Sequence, residues 1–195
     1  MLLIIQVWKE EKSVDDEETG TGETRRLLDD LSSPDITVRR VAARRLGGIG
    51  EQSVHPLIRS MHENNDPDFR WYAASALALA GEPAVVPLVH AMEDDPAPGF
   101  RKYAAAALGQ IGEPAVEPLI EAISRGDKGL REFIALALCR IGKPAILPLS
   151  QLLQHTDPEM RSCAELVLWK MGEPGVHALV DEYHPGVPEN NDPCP

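Results

Sequence analysis

Few residues of this sequence have a type and spacing that could support catalysis or metal binding. The six histidines are scattered, and no two of them are four residues apart, the spacing that would place both on one face of a helix. The three cysteines, Cys139, Cys163 and Cys194, are odd in number and not clustered, which favours reduced thiols in a cytoplasmic protein over a disulfide framework. We therefore expect no catalytic residue, no metal site and no cofactor.

Glycine instead marks a repeat. Five similar segments begin at Gly50, Gly81, Gly112, Gly142 and Gly172, which are 31, 31, 30 and 30 residues apart. The third segment reads Gly-Glu-Pro-Ala-Val-Glu-Pro-Leu. A period of this length is typical of a solenoid, in which each unit buries its apolar face only against its neighbours. Because the repeat accounts for the glycines, we predict no phosphate-binding loop and no nucleophile elbow.

Each period predicts two helices. Helix A carries apolar residues at i, i+3, i+4 and i+7, as in Val116, Leu119, Ile120 and Ile123. Helix B begins near an arginine, continues as an alanine-rich run and ends at the next glycine, a plausible C′ residue. An aspartate before this arginine, often in an Asp-Pro pair, predicts the N-cap of helix B. Proline recurs inside helix A and predicts a short first turn followed by a kink or restart, at Pro56, Pro87, Pro118 and Pro148.

The combined pattern Asp-Pro-x-x-Arg-x-x-Ala-Ala-x-Ala-Leu-x-x-Ile-Gly-x-Pro-Ala-Val-x-Pro-Leu resembles the short HEAT-like repeat first associated with phycobilisome lyases. The period and the resemblance predict an all-α fold, a right-handed α-solenoid (superhelix) of about five HEAT-like helix pairs plus a terminal helix. We expect an acidic, flexible leader over 1–23, the repeat domain over 24–183 and a flexible tail over 184–195. The predicted units are 24–50, 51–81, 82–112, 113–142 and 143–172, with the terminal helix over 173–183.

Charge and hydropathy exclude several function classes. The formal net charge of −12 disfavours nucleic acid as a general partner. No stretch approaches the roughly 20 apolar residues of a membrane helix. The apolar segment 1–8 has no basic region before it, so we expect it to pack on the first repeat or to extend an upstream segment rather than to act as a signal peptide. We expect a cytoplasmic monomer.

Six arginines make one end of the predicted array basic. All of them fall in the first unit: Arg25, Arg26, Arg39, Arg40, Arg44 and Arg45. Such a surface could meet a phosphate backbone or an acidic protein, or it could be the polar capping surface of a terminal repeat.

The arginine that begins each helix B lies at the angle of the helix that faces the core. An unpaired guanidinium would be costly there, and an aspartate stands in the loop of every unit. We predict a structural ladder of arginines with loop carboxylates of the same or the adjacent unit. The arginines are Arg39, Arg70, Arg101, Arg131 and Arg161, and the carboxylates are Asp35, Asp66, Asp127 and Asp157.

Positions +2, +5 and +9 from the repeated arginine point away from the core, since each residue turns the helix by about 100°. In three successive units position +2 is Tyr72, Tyr103 or Phe133. In HEAT-type arrays the B helices resemble a lining of the concave side, so this stripe predicts a groove that binds a protein or peptide segment. Alternatively, neighbouring side chains cover one another and hold the curvature. The predicted partner-binding residues are Trp71, Tyr72, Ser75, Leu79, Lys102, Tyr103, Gln110, Glu132, Phe133, Leu136, Arg140, Leu166 and Lys170.

The family that the repeat resembles includes bilin lyases, deoxyhypusine hydroxylases and plain scaffolds. The hydroxylases hold two irons through several His-Glu pairs, whereas only His62-Glu63 has that dipeptide here, so the comparison disfavours metal. We predict a non-enzymatic scaffold for protein binding. The alternative is a bilin (phycobilisome) lyase-like subunit that handles a tetrapyrrole and its acceptor protein, with Cys163 near the aromatic groove.

Overall fold

The computed structural model describes residues 22–183, and every regular element in that range is helical. The α-helices are α1 (22–30), α2 (Ile36–Ile49), α3 (Glu51–Glu63), α4 (Pro67–Ala80), α5 (Val85–Asp94), α6 (Pro98–Ile111), α7 (Val116–Arg125), α8 (Lys128–Ile141), α9 (Ile146–Leu152), α10 (Pro158–Lys170) and α11 (Glu173–Tyr183). Odd-numbered helices are the predicted A helices, and even-numbered helices are the B helices. The predicted all-α fold of helix pairs is confirmed. The expectations for segment 1–8, for most of the leader, and for the tail fall outside the described residues.

The repeated glycines end the B helices in a backbone conformation that other residues avoid. Each has a positive φ, from 73° at Gly50 to 90° at Gly112. Their ψ values, such as −136° at Gly50 and −138° at Gly112, place them in a region populated almost only by glycine. The chain can therefore turn sharply into the next A helix, as the sequence predicted.

Aspartates cap four of the B helices. Each side chain accepts a hydrogen bond from a backbone N–H in the first turn: Asp35 from Thr37, Asp66 from Phe69, Asp127 from Leu130 and Asp157 from Glu159. These bonds satisfy donors that have no partner inside the helix. In α6 the N-cap is Ala97, which has no side-chain acceptor.

Proline fixes where three of the A helices restart. Short 3₁₀ turns at Glu82–Ala84, Glu113–Ala115 and Lys143–Ala145 precede α5, α7 and α9. Pro87, Pro118 and Pro148 are then each the third residue of an α-helix, where a missing N–H costs nothing. The restart therefore comes two residues before these prolines rather than at them. Pro56 lies within the continuous helix α3.

The described chain divides into two compact units between Pro87 and Leu88, within α5. In unit 1, α4 packs along α2 and against α3. In unit 2, α6 packs along α8, and α10 packs against α8, α9 and α11. Fully buried side chains fill both cores, for example Leu46 and Leu77 in unit 1 and Phe100 and Leu119 in unit 2.

No single helix within residues 22–183 has the length and hydropathy to cross a bilayer. The segments Lys128–Ile141 and Lys143–Leu152 are long and apolar enough only when taken together, and the chain bends by 119° between them.

Candidate functional site

The outward positions of the B helices carry the candidate site. None of the predicted partner-binding residues is buried, as expected from the helical angles. Tyr72, Ser75, Tyr103 and Phe133 are half-buried. The exposed ones are Trp71, Leu79, Lys102, Gln110, Glu132, Leu136, Arg140, Leu166 and Lys170. Their role in binding stays a prediction.

In unit 1 this face belongs to α2 and α4. Val41, Trp71 and Leu79 are each more than half exposed, at 52%, 53% and 55%. The guanidinium carbon of Arg39 lies 5.2 Å from the centroid of the Tyr72 ring, a cation–π arrangement. The neighbouring helix thus covers part of this ring. For Tyr72 the observation favours the packing alternative over a free binding anchor.

In unit 2 an apolar strip crosses α8 and α10. Leu136 and Leu166 occupy the same position, +5, on these two adjacent B helices and are 53% and 49% exposed. Phe133 lies one turn before Leu136 and is half-buried. Trp169, one turn after Leu166, is 67% exposed, the largest value of any aromatic residue among residues 22–183. We call the surface formed by Phe133, Leu136, Leu166 and Trp169, together with Arg140 and Lys170, the α8/α10 face.

Sequence reasoning missed Trp169 because it followed only positions +1, +2, +5 and +9. Trp169 occupies position +8, which is Gly47 in α2, Ala78 in α4, Gly109 in α6 and Cys139 in α8. A methyl group at Gly47 would lie 2.4 Å from Leu79 Cβ, so the next B helix packs directly on this position. The available signal was side-chain size, since the other four B helices carry glycine, alanine or cysteine at this position and α10 carries tryptophan. It indicates that Trp169 is not covered by a B helix in the way that Gly47 is.

Two cations lie at the end of the apolar strip. Arg140 and Lys170 are exposed and follow Leu136 and Leu166 by four residues on the same helices. The aliphatic stem of Arg140 lies on Gly109, where an added methyl group would be 2.7 Å from Arg140 Cδ. Neither cation forms an ion pair with a carboxylate among residues 22–183.

The predicted row of three aromatic rings spans two units. Tyr72 belongs to unit 1, and Tyr103 and Phe133 belong to unit 2. The Nζ of Lys102 lies 5.4 Å from the Tyr103 ring centroid, so this ring also has a cation beside it. A continuous groove that contains all three rings stays a prediction.

The arginine ladder has a function that the sequence did not reveal. Each guanidinium donates to backbone carbonyl oxygens in the last turn of the preceding A helix or in the loop that follows it, where these oxygens lack an intrahelical partner. The acceptors are Ser33 for Arg39, Met61 and Asn64 for Arg70, Met92 and Asp95 for Arg101, Ile123 for Arg131, and His155 and Thr156 for Arg161, at 2.7 to 3.1 Å. Arg70 and Arg101 are buried, and the other three are half-buried.

One predicted loop carboxylate, Asp127, pairs with a ladder arginine of the adjacent unit, and the other carboxylate partners differ from those expected. Asp127 is a cap residue that also pairs with the arginine of the previous B helix, Arg101. Arg39 pairs at 3.6 Å with Asp68, and Arg131 pairs with Glu159. Both of these acids lie in the first turn of the next B helix rather than in its loop. The pairing of Asp35, Asp66 and Asp157 with ladder arginines is therefore corrected: the bonds described for these side chains are the N-caps of their own helices.

The arginines of the first unit differ in their surroundings. Arg25 lines a cavity of about 520 Å³ between α1 and α3, together with His55 and Arg59. Arg40 and Arg44 are exposed on α2, and Arg45 pairs with Glu23 at 2.5 Å. Arg39 donates to the loop carbonyl of Ser33 and contacts Tyr72. Arg39 and Arg45 thus have partners within unit 1, and a basic end of the array stays a prediction.

The thiols and histidines of residues 22–183 form no metal centre. No group of three or more His, Cys, Asp or Glu side chains in this range could hold an ion. Cys139 and Cys163 are half-buried free thiols, and burial raises the pKa of each. His62 lies in the last turn of α3. Cys194 falls outside the described residues.

The family model of HEAT repeats matches residues 24–88, 55–127 and 85–169. No curated protein sequence matches the chain. Two similar solved structures are crystal structures of engineered proteins from the Northeast Structural Genomics Consortium. The first is 20% identical with a TM-score of 0.33, over 82% of this chain and 86% of the other. The second is 21% identical with a TM-score of 0.31, over 82% of this chain and 51% of the other.

Proposed function

The chain belongs to the HEAT repeat family, and from this premise we propose that it is a non-enzymatic, cytoplasmic scaffold that binds another protein through the outward face of its B helices. In arrays of this kind that face lines the concave side. HEAT repeats generally mediate contacts between proteins, and each helix pair contributes a strip to one shared surface.

The observation that carries the proposal is the exposure of Leu136 and Leu166. A solvated helix face is mostly polar, whereas these two side chains occupy equivalent positions on adjacent helices and are each about half exposed, at 53% and 49%. Scattered exposed leucines are ordinary, but a contiguous apolar strip with a half-buried Phe133 beside it is typical of an interaction site.

Trp169 is the strongest candidate for a binding hot spot. Tryptophan is enriched among residues whose truncation costs about 2 kcal/mol or more of binding free energy. Its side chain is 67% exposed, so docking of a partner could remove much of its apolar surface from water. We place Trp169 at the edge of the proposed interface, beside Leu166.

The bilin lyase-like alternative has less support. It would require a reactive group near the aromatic residues, and Cys163 on α10 is the thiol on that face. The thiolate is the reactive form of cysteine, but burial raises the pKa of the Cys163 thiol, which keeps it protonated. No observation on residues 22–183 favours a lyase over a scaffold.

The test compares two double variants of the same unit. Leu136→Ala with Leu166→Ala removes the strip on the B helices. Leu147→Ala with Val180→Ala removes two exposed aliphatic side chains, 68% and 42% exposed, from the A helices α9 and α11. A partner is first captured from the native cell with the parent chain, and its affinity for all three proteins is then measured by calorimetry.

We expect the variant on α8 and α10 to lose about 2 kcal/mol of binding free energy and the A-helix variant to bind like the parent. Circular dichroism melts check that both variants are folded. If only the A-helix variant loses affinity, the partner binds the opposite side of the array and the proposal fails.

A further inference from the structure

Resting on the proposed function, we infer that the α8/α10 face binds an acidic amphipathic helix, whose apolar stripe lies on Leu136 and Leu166 and whose carboxylates lie over Arg140 and Lys170. The inference follows from the pattern of charge beside the apolar strip. It assigns a chemical class to the partner, which the repeat fold by itself does not do.

The geometry pairs each leucine with a cation. Arg140 lies one helical turn beyond Leu136 on α8, and Lys170 lies one turn beyond Leu166 on α10. Equivalent positions on packed helices are roughly 8 to 10 Å apart. Two parallel rows therefore cross both helices, one of leucines and one of cations, separated by about 6 Å of helix rise. A helical segment with one apolar stripe and one acidic flank matches both rows.

Each cation lies beside the B helix that precedes its own. The stem of Arg140 packs against Gly109 of α6, where there is no room for a methyl group. Lys170 lies close enough to Cys139 of α8 to oppose, through its charge, the rise in pKa that burial causes in that thiol. The stem of Arg140 therefore lies on α6, and the charge of Lys170 lies near α8.

These charges are also unused within residues 22–183. Neither Arg140 nor Lys170 pairs with a carboxylate there, although the whole chain carries a net charge of −12. Two unpaired cations beside an exposed apolar strip are complementary to a partner that brings its own carboxylates. Both residues also lie in the last turn of their helices, where a cation interacts favourably with the helix dipole. That structural role predicts no preference among partners.

The probe is a pair of synthetic amphipathic helices of roughly 20 residues, long enough to be helical in water. Both carry leucine at i, i+4 and i+7; one has glutamate and the other has lysine on the flanks of the stripe. Binding to the full chain is measured by fluorescence anisotropy at about 0.15 M salt, where charges more than about 8 Å apart are largely screened. The net charge of −12 by itself favours the lysine peptide, so a preference for glutamate has to come from local cations.

We expect the parent chain to bind the glutamate peptide at least about tenfold more tightly than the lysine peptide. Arg140→Glu with Lys170→Glu should reverse this order. The matched control is Arg26→Glu with Lys128→Glu, which changes the net charge equally at exposed positions outside the face and should preserve the order.

Three results would overturn the inference. The parent chain could bind the lysine peptide more tightly, the variant Arg140→Glu with Lys170→Glu could still prefer the glutamate peptide, or neither peptide could bind. The proposed function is tested separately by Leu136→Ala with Leu166→Ala, which should lower the affinity of the chain for both peptides. If that variant binds the glutamate peptide like the parent, the apolar strip is not the docking surface. If the variant binds both peptides more weakly but the parent binds them equally well, the apolar strip is supported as the docking surface. The assignment of an acidic partner is then wrong.

Discussion

Arg101 and Asp127 form a two-pronged ion pair between successive repeats, with Nη1 2.9 Å from Oδ1 and Nη2 3.0 Å from Oδ2. The same guanidinium donates through Nε to the carbonyl oxygens of Met92 and Asp95, each at 2.9 Å. Asp127 in turn accepts from the N–H of Leu130 and caps α8. One buried side chain on α6 therefore joins the end of α5 to the beginning of α8.

Replacing Arg101 by alanine should destabilise the chain by about 2 to 4 kcal/mol, because the buried carbonyl oxygen of Met92 and the partly buried one of Asp95 lose a charged donor. Arg40→Ala, at an exposed position of α2, should cost less than about 0.5 kcal/mol. Urea unfolding of both variants measures the two free energies. Equal losses would show that the ladder arginine has no special structural role.

The Arg101 and Asp127 pair should make stability depend on pH in the acid range. Hydrogen bonds from the Arg101 guanidinium, and then from the Leu130 N–H, lower the pKa of Asp127 from 3.8 to about 2. A carboxyl with a lowered folded pKa stabilises fully above its unfolded pKa, and this contribution disappears as pH falls through the folded value. The contribution should therefore be complete above about pH 4 and lost toward about pH 2.

Asp127→Asn tests this dependence, since asparagine still caps a helix but carries no charge. The variant should be less stable than the parent at neutral pH, and the gap between their urea midpoints should close between about pH 4 and about pH 2. A gap that stays constant over this range would mean that the charge of Asp127 does not stabilise the fold.

Two adjacent glycines of α2 should respond oppositely to alanine. At Gly47 a methyl group would lie 2.4 Å from Leu79 Cβ and 3.0 Å from the Ala76 carbonyl oxygen, so Gly47→Ala should destabilise by about 1 to 3 kcal/mol through overpacking. At Gly48 nothing lies within 4 Å, so Gly48→Ala should stabilise by roughly 0.5 to 1 kcal/mol through helix propensity. Thermal melts of the two variants give the signs, and the same sign for both would contradict the close packing of α2 on α4.

Gly142→Ala separates backbone strain from steric contact. No atom lies within 4 Å of the methyl position, but φ is 77° and ψ is −132°. Alanine should therefore destabilise by about 1 to 3 kcal/mol through its backbone alone. Chemical unfolding measures the loss, and a loss below about 0.5 kcal/mol would mean that the turn between α8 and α9 adopts another conformation.

The sequence by itself determined the repeat, the helix pairs, their caps and their outward faces. These features depend on local rules: the 3.6-residue period of a helix, the bond from an aspartate to a nearby N–H, and the freedom of glycine at positive φ. That is why Asp66 could be identified as an N-cap and Leu136 as an outward residue before any contact was known. The same rules placed the restart of helix A at Pro87, two residues too late. A 3₁₀ turn takes up the first part of helix A, and the α-helix begins at Val85.

Only the tertiary structure decided which side chains meet across helices. Arg101 and Asp127 are 26 residues apart, and their contact depends on how closely α6 packs on α8. Likewise, the sequence could not show that Arg39 covers the Tyr72 ring or that Arg45 pairs with Glu23. Residues one period apart are brought together by helix packing distances and side-chain rotamers, and neither is encoded in the spacing of residue types along one helix.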